Sequence, residues 1–297
     1  MNILLLYLLF LLPSLQLAYS PLSLTQSGQK AYLDWVEANG GYKHPNVEIS
    51  SGPDPAWTIR GLFATDFMKQ GERIITIPPN LLLCRPEFCD LVSALNYELS
   101  LEQSSFWWPY LSVMLRSQLD LPYVWSDDER DLFTGLYPGH LLMTAAHDMC
   151  DNIDFEDSTN VLALQLVGTR SAGNNDFICL IPVLESLNHA QQGFENTFME
   201  GNDIVGFSVY TTNEVAADQQ LFYSYGDDSF SRLFHDYGFF SQYPRLWRFE
   251  DSYGNEINFK VFKEGEDFDF DFDLNELYSK LISIDVSEYY LPSKCSN

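Results

Sequence analysis

"IPVLESLNHA", residues 181–190, is an apolar run that breaks off at an asparagine and a histidine. The run reads as a buried strand, and Asn188 read alone is the turn that ends it, since asparagine favours turns. His189 is one of only five histidines in the chain, so the pair also has the makings of a site that holds something. The rest of the sequence decides between these readings.

Upstream, residues 86 to about 165 have helical character. Phe88, Leu91, Val92, Leu95 and Leu99 share one helical face, Ser126 with Glu129 forms a capping box before "RDLFTGL", and "NVLALQLVG" follows. Before this insert, "GQKAYLDWVEANGG" (28–41) reads as a helix with Leu33 and Val36 inward, stopped by Gly40-Gly41. "TIRGLFATDFMKQGERIITIPPNLLLC" (58–84) reads as two β-rich runs about the turn Lys69-Gln70-Gly71-Glu72, ended by Pro78-Pro79. Downstream, "DIVGFSVYTTN" (203–213) and "QQLFYSYG" (219–226) are β-rich again, and Ser229 caps a short helix in "SRLFHDYGFF". The tail carries "EDFDFDFDLNELYSKLISI", read as a solvated edge strand and a small helix with Leu277, Leu281 and Ile284 inward. The fold class is therefore α+β: two β-rich halves around a helical insert, with a short acidic segment at 246–297.

The chain has 297 residues, 16 basic against 42 acidic side chains, and a formal net charge of −26. Such a chain repels phosphate backbones and anionic lipid surfaces, which excludes direct nucleic-acid binding and favours a basic protein or peptide partner. "MNILLLYLLFLLPSLQLAYS" (1–20) has an apolar stretch from Ile3 to Leu12 and a small-residue site at Ala18-Tyr19-Ser20. It reads as a secretory signal cleaved after Ser20, with an uncleaved membrane anchor as the alternative. No span is expected in the mature chain. The five cysteines (84, 89, 150, 179, 295) are odd in number and lack paired spacing, so they do not read as a disulfide framework.

"RGLFAT" (60–65) followed by "GERIITIP" (71–78), "NH" (188–189) and "YSYG" (223–226) together resemble the signatures of SET-domain methyltransferases. "SFWWPYLSVM" (105–114), "LPYVWSDDERDLFTGL" (121–136), "VGTRSAG" (167–173) and "YGFF" (237–240) narrow the resemblance. They are similar to the Rubisco large-subunit lysine methyltransferases and the actin-histidine methyltransferase. The similarity covers about residues 31 to 245, so the SET domain is placed at 21–245, and it implies small curved sheets packed around a pseudoknot.

The resemblance implies S-adenosylmethionine as cofactor and methyl transfer to a nitrogen of a protein side chain. No metal is implied, and a monomer is expected. Arg60 and Gly61 would bring backbone to the cofactor, and Arg170 would pair with its carboxylate. Asn188 and the His189 backbone would receive its adenine and amino-acid ends, and Phe239 would pack on the adenine. Tyr225 would aim its hydroxyl at the transferring methyl, and Tyr237 would line the channel for the target side chain. Tyr237 in Tyr-Gly-Phe, with Ala172 lacking an amide, favours lysine over histidine.

This chain departs from the family pattern at several points. Ile59 replaces the first glycine of Gly-x-Gly, Glu185 replaces an aspartate in a way that could displace Asn188, and Phe230 stands where an asparagine is usual. Asp218-Gln219 replace a Gly-Glu turn. Relatives also carry a C-terminal helical substrate-binding domain, which the residues after 245 are too few to form in full. The alternative to an enzyme is a non-catalytic SET-like module holding a basic peptide. The alternative destination is a complex plastid with a Rubisco-type client.

Overall fold

The computed structural model describes residues 26–50, 60–115, 121–126, 128, 150–151, 153–154, 156–173, 176–226, 230–239, 245–250 and 256–261. The expected signal segment, Ile59, Glu129, Ser229, Cys295 and the tail helix with Leu277, Leu281 and Ile284 lie outside the described residues.

The first helix, α1 (Gln26–Ala38), buries Tyr32 and Val36, one turn apart on the same face. It ends where expected: Gly40 takes a positive φ of 88°, and the Gly41 N–H closes back on the Val36 carbonyl at 2.9 Å. Strands β1 (Tyr42–Lys43), β2 (Val47–Ser50), β3 (Gly61–Ala64) and β4 (Arg73–Ile77) follow. The Lys69–Glu72 turn lies before β4, with the Glu72 N–H 3.3 Å from the Lys69 carbonyl. In β4, Ile74, Ile75 and Ile77 are all buried. Burying each such side chain stabilises the fold by about 1.5–3 kcal/mol.

After β5 (Leu83–Arg85) the insert opens with α2 (Phe88–Ser100), whose Leu91, Val92, Leu95 and Leu99 are buried as their spacing predicts. Helix α3 (Trp108–Met114) follows, and α4 (Ser158–Arg170) returns across α2, capped by the Asp157 carboxylate accepting from the Thr159 N–H at 2.8 Å. The second β-rich half contributes β6 (Ser171–Gly173), β7 (Ile178–Leu180), β8 (Asn188–His189), β9 (Thr197–Asn202), β10 (Gly206–Thr211) and β11 (Gln220–Tyr223). After it come α5 (Phe230–Tyr237) and a hairpin of β12 (Arg245–Glu250) with β13 (Glu256–Val261), which the sequence reading did not foresee.

The described strands form small sheets of order β1-β4-β10-β9, β2-β3-β11-β8 and β5-β7-β6, besides the hairpin. Each of these three sheets draws strands from both sides of the insert, which keeps the two β-rich halves in one core. The α+β class with small sheets and an inserted helical region therefore holds.

The cysteine reading is corrected. Cys84 and Cys179 are directly opposed on β5 and β7 and joined by a disulfide, and a second bond links Cys89 at the start of α2 to Cys150. Sequence separations of 95 and 61 residues hide both pairs from spacing rules, because sheet register and helix packing bring them together. Alkylation of the unreduced native chain should modify one of its five cysteines, and all five after reduction and unfolding, as read by intact mass. The double substitution Cys84→Ala/Cys179→Ala should lower unfolding free energy by about 2–5 kcal/mol in denaturant titrations.

Candidate functional site

The run at 181–187 is buried but is not a strand. Pro182 has no N–H for a ladder, and after it the chain folds back through Val183 into a short 3-10 turn, Leu184–Ser186. Val183 has φ 69° and ψ −33°. A β-branched residue there is a true outlier, costing about 1–3 kcal/mol. Its N–H donates to the Tyr32 hydroxyl of α1, so a helix distant in sequence braces the strained turn.

Asn188 and His189 are likewise not a terminating turn. They form β8, which pairs in parallel with Phe222 and Tyr223 of β11. The Asn188 amide donates to the Arg60 carbonyl at 3.0 Å, and His189 Nδ1 accepts the Tyr225 N–H at 3.1 Å. That contact requires an unprotonated Nδ1. Beside them, Gly61 allows close packing: a Cβ there would lie 2.2 Å from Gln220 Nε2 and 2.9 Å from Asn188 Nδ2, so those side-chain amides would have to shift. The Asn196 side chain completes the β11 edge, donating to the Gln220 carbonyl and accepting from the Phe222 N–H.

Tyr225 follows β11 directly, and its hydroxyl donates to the Leu187 carbonyl at 2.6 Å. Burial pushes its pKa far above the usual phenol range, against a smaller opposing pull from Arg170, so the hydroxyl stays neutral. Ring centroids of Tyr225 lie 5.3 Å from His189, 4.9 Å from Tyr237 and 6.3 Å from Phe239. Tyr237 and Phe239 sit at the end of α5, with Gly238 between them at a positive φ of 74°. Side chains from three segments of the chain thus make one aromatic group.

Next to it lies a buried charged cluster. The Glu185 side chain is fully buried and sits 3.7 Å from Arg60 Nη2, with the Tyr32 hydroxyl 3.4 Å away. Burial raises the Glu185 pKa, while Arg60 and Arg170 pull it back down. At the end of α4, Arg170 is itself lowered by burial and then by Arg60, with Glu185 opposing. Two guanidiniums therefore act on one carboxylate. The Arg170 Nε and the Tyr110 hydroxyl are buried with no hydrogen-bond partner among the described residues. Glu185 forms an ion pair with Arg60 and accepts from the Tyr32 hydroxyl, while the Asn188 amide donates to the Arg60 carbonyl.

A family model described as the SET domain matches residues 59–226. The chain belongs to the SET-domain family. This SET domain is 24% identical over 269 residues to the N-lysine methyltransferase setd6 of Xenopus tropicalis, covering 72% of this chain and 57% of that protein. It is 23% identical over 239 residues to the ribosomal lysine N-methyltransferase set11 of Schizosaccharomyces pombe, covering 70% and 60%. The chain thus spans somewhat under two thirds of the length of these curated relatives. Its fold matches the solved structure of Rubisco LSMT bound to AdoMet with a TM-score of 0.53 at 15% identity, over 82% of this chain and 68% of that one. The SET domain of LSMT bound to lysine and AdoHcy matches with a TM-score of 0.52 at 14% identity, over 81% and 68%.

Of the eight site residues expected from sequence, six fall within residues 59–226 and Tyr237 and Phe239 follow them; they divide between the aromatic group, the charged cluster and the Asn188–Gly61 contact. Tyr32, Tyr110, Gln220 and Asn196 were missed. Tyr32 and Tyr110 occupy apolar helix faces, where nothing local separates a polar tip from a core ring. Of the departures, Asp218 takes φ 66°, a conformation that aspartate tolerates better than most residues, so the turn survives without glycine. Phe230 is simply the first residue of α5.

The raised Glu185 pKa has a definite sign. The native state holds that proton more tightly than the unfolded chain, so its contribution to stability falls as pH rises through the folded value. Denaturant unfolding of wild type and Glu185→Gln between pH 4 and 7.5 should show the wild type losing stability relative to the variant as pH rises. A flat or rising difference would mean that the two arginines outweigh burial.

Proposed function

We propose that this SET domain is an S-adenosylmethionine-dependent protein N-methyltransferase acting on a lysine side chain of a basic protein. The observation that carries the reading is Tyr225: a buried, neutral hydroxyl, its proton committed to the Leu187 carbonyl, packed among His189, Tyr237 and Phe239 beside Arg170. The relatives named as lysine methyltransferases support it, as do solved neighbours bound to AdoMet, AdoHcy and lysine.

The residues present fit that cofactor. The cluster of Arg60, Arg170 and Glu185 carries one more positive than negative charge, and the unpaired Arg170 Nε suits the cofactor's carboxylate. Asn188 and the His189 backbone would hold its polar groups, with Phe239 against the adenine. Arg60 and Gly61 lie beside Asn188 at the start of β3. S-adenosylmethionine, when bound, supplies a methyl group on a sulfonium sulfur. Tyr225 directs its proton to Leu187, which leaves oxygen lone pairs for positively polarised carbon. With a substrate seated, the aromatic group would limit water at the target nitrogen, favouring the neutral amine that can attack, and Tyr237 would line its approach. The net charge of −26 attracts a basic substrate.

We also place the protein in the secretory pathway. The apolar segment at 1–20 supports this, as do two disulfides, which persist in oxidising compartments. Amino-terminal sequencing of secreted material should begin at Pro21, whereas an intact amino terminus recovered from cytosol would discard the placement.

Calorimetric titration of the folded protein with S-adenosylmethionine should show binding. Tyr225→Phe should retain that binding but lose methyl transfer to a basic protein by about 10²–10³-fold, followed by mass spectrometry. Absence of cofactor binding in the wild type would leave a non-catalytic peptide-binding module.

A further inference from the structure

We propose that Tyr110, on helix α3 of the insert, is a further cofactor-binding residue. It donates its hydroxyl hydrogen, beside the Arg170 guanidinium, to the carboxylate at the amino-acid end of S-adenosylmethionine. The inference rests on the methyltransferase reading and adds to it a residue from outside the signature motifs.

Tyr110 is 1% exposed, and its hydroxyl is buried without a hydrogen-bond partner among the described residues. A buried hydroxyl in that condition is costly and calls for an acceptor. Its ring stacks on Tyr32 with centroids 5.9 Å apart and planes 16° apart, so its direction is fixed. The two stacked tyrosines differ in one respect. The Tyr32 hydroxyl accepts the Val183 N–H and reaches Glu185, whereas that of Tyr110 has neither kind of contact.

The chemistry around Tyr110 selects the acceptor. Its hydroxyl lies within electrostatic reach of Glu185, Arg170 and Arg60, and burial holds it protonated, hence a donor. The second unmet group in the same cluster, Arg170 Nε, is also a donor. Glu185 lies against Arg60 at 3.7 Å, which leaves the Arg170 charge without a comparable ion pair among the described residues. A water molecule would satisfy the hydroxyl but not the excess charge. A carboxylate satisfies both, because it is anionic, planar and accepts only. Helix α3 thereby ties the insert to cofactor binding.

The test uses two probes, S-adenosylmethionine and its decarboxylated form, titrated calorimetrically into wild type and Tyr110→Phe. The expected result is about a tenfold loss of affinity for S-adenosylmethionine in the variant, as for a lost hydrogen bond to a charged group, with decarboxylated probe binding unchanged. Thermal unfolding of the ligand-free variant, which removes one oxygen and keeps the ring, checks that the fold is intact. Unchanged affinity for S-adenosylmethionine would overturn the inference, and so would an equal loss for both probes, which marks a packing role. A wild type that binds neither probe would instead overturn the methyltransferase reading, and this inference with it.

Discussion

Two residues of parallel pairing, Asn188 and His189 of β8 against Phe222 and Tyr223 of β11, hold the candidate site together. Through that pairing Asn188 reaches the Arg60 backbone and His189 receives the Tyr225 N–H. Strand β11 in turn pairs with β3, so segments from both β-rich halves meet at one place. Without it, Tyr225 would have no fixed relation to Arg60 or Gly61. The strained Val183 turn, braced by Tyr32, is what redirects the chain from β7 into β8.

The buried charges are arranged so that one carboxylate serves two guanidiniums. Burial of Glu185 is unfavourable by itself, and Arg60 and Arg170 compensate for part of that cost. The remaining positive charge is a poor feature for stability and a useful one for holding an anion. That trade is expected of a site rather than of a structural core. The aromatic group beside it has a different character: His189, Tyr225, Tyr237 and Phe239 are uncharged or weakly basic rings, each partly exposed. The juxtaposition suits a ligand with a charged end and an aromatic or apolar end.

Much of this was legible in the sequence because the relevant physics is local. The apolar spacing of α2 and the positive-φ glycine after α1 depend on neighbouring residues alone. So does the Lys69–Glu72 turn. The order of Arg60-Gly61, Arg170, Asn188-His189, Tyr225 and Tyr237-Gly238-Phe239 marked out a candidate site in another way, through its resemblance to the SET-domain signatures. The β12–β13 hairpin was missed although Asp251-Ser252-Tyr253-Gly254-Asn255, between its strands, is a glycine-containing run of turn residues. The disulfides were missed because pairing across 95 and 61 residues is set by register and packing.

The sequence by itself determined the class of fold, through periodicity and turn residues, and it named candidate site residues through the resemblance of its ordered motifs to a known family. Only the tertiary structure decided that 181–187 is a strained turn and that Asn188-His189 is a strand. It also decided that Glu185 belongs to Arg60, and that Tyr32 and Tyr110 bring polar tips into the charged cluster. Those outcomes depend on contacts spanning up to 153 residues, as between Tyr32 and Glu185, and no local preference encodes such distances. A tyrosine on an apolar helix face looks the same whether its hydroxyl meets nothing or meets a buried carboxylate. Its partner, supplied by another part of the chain, makes the difference.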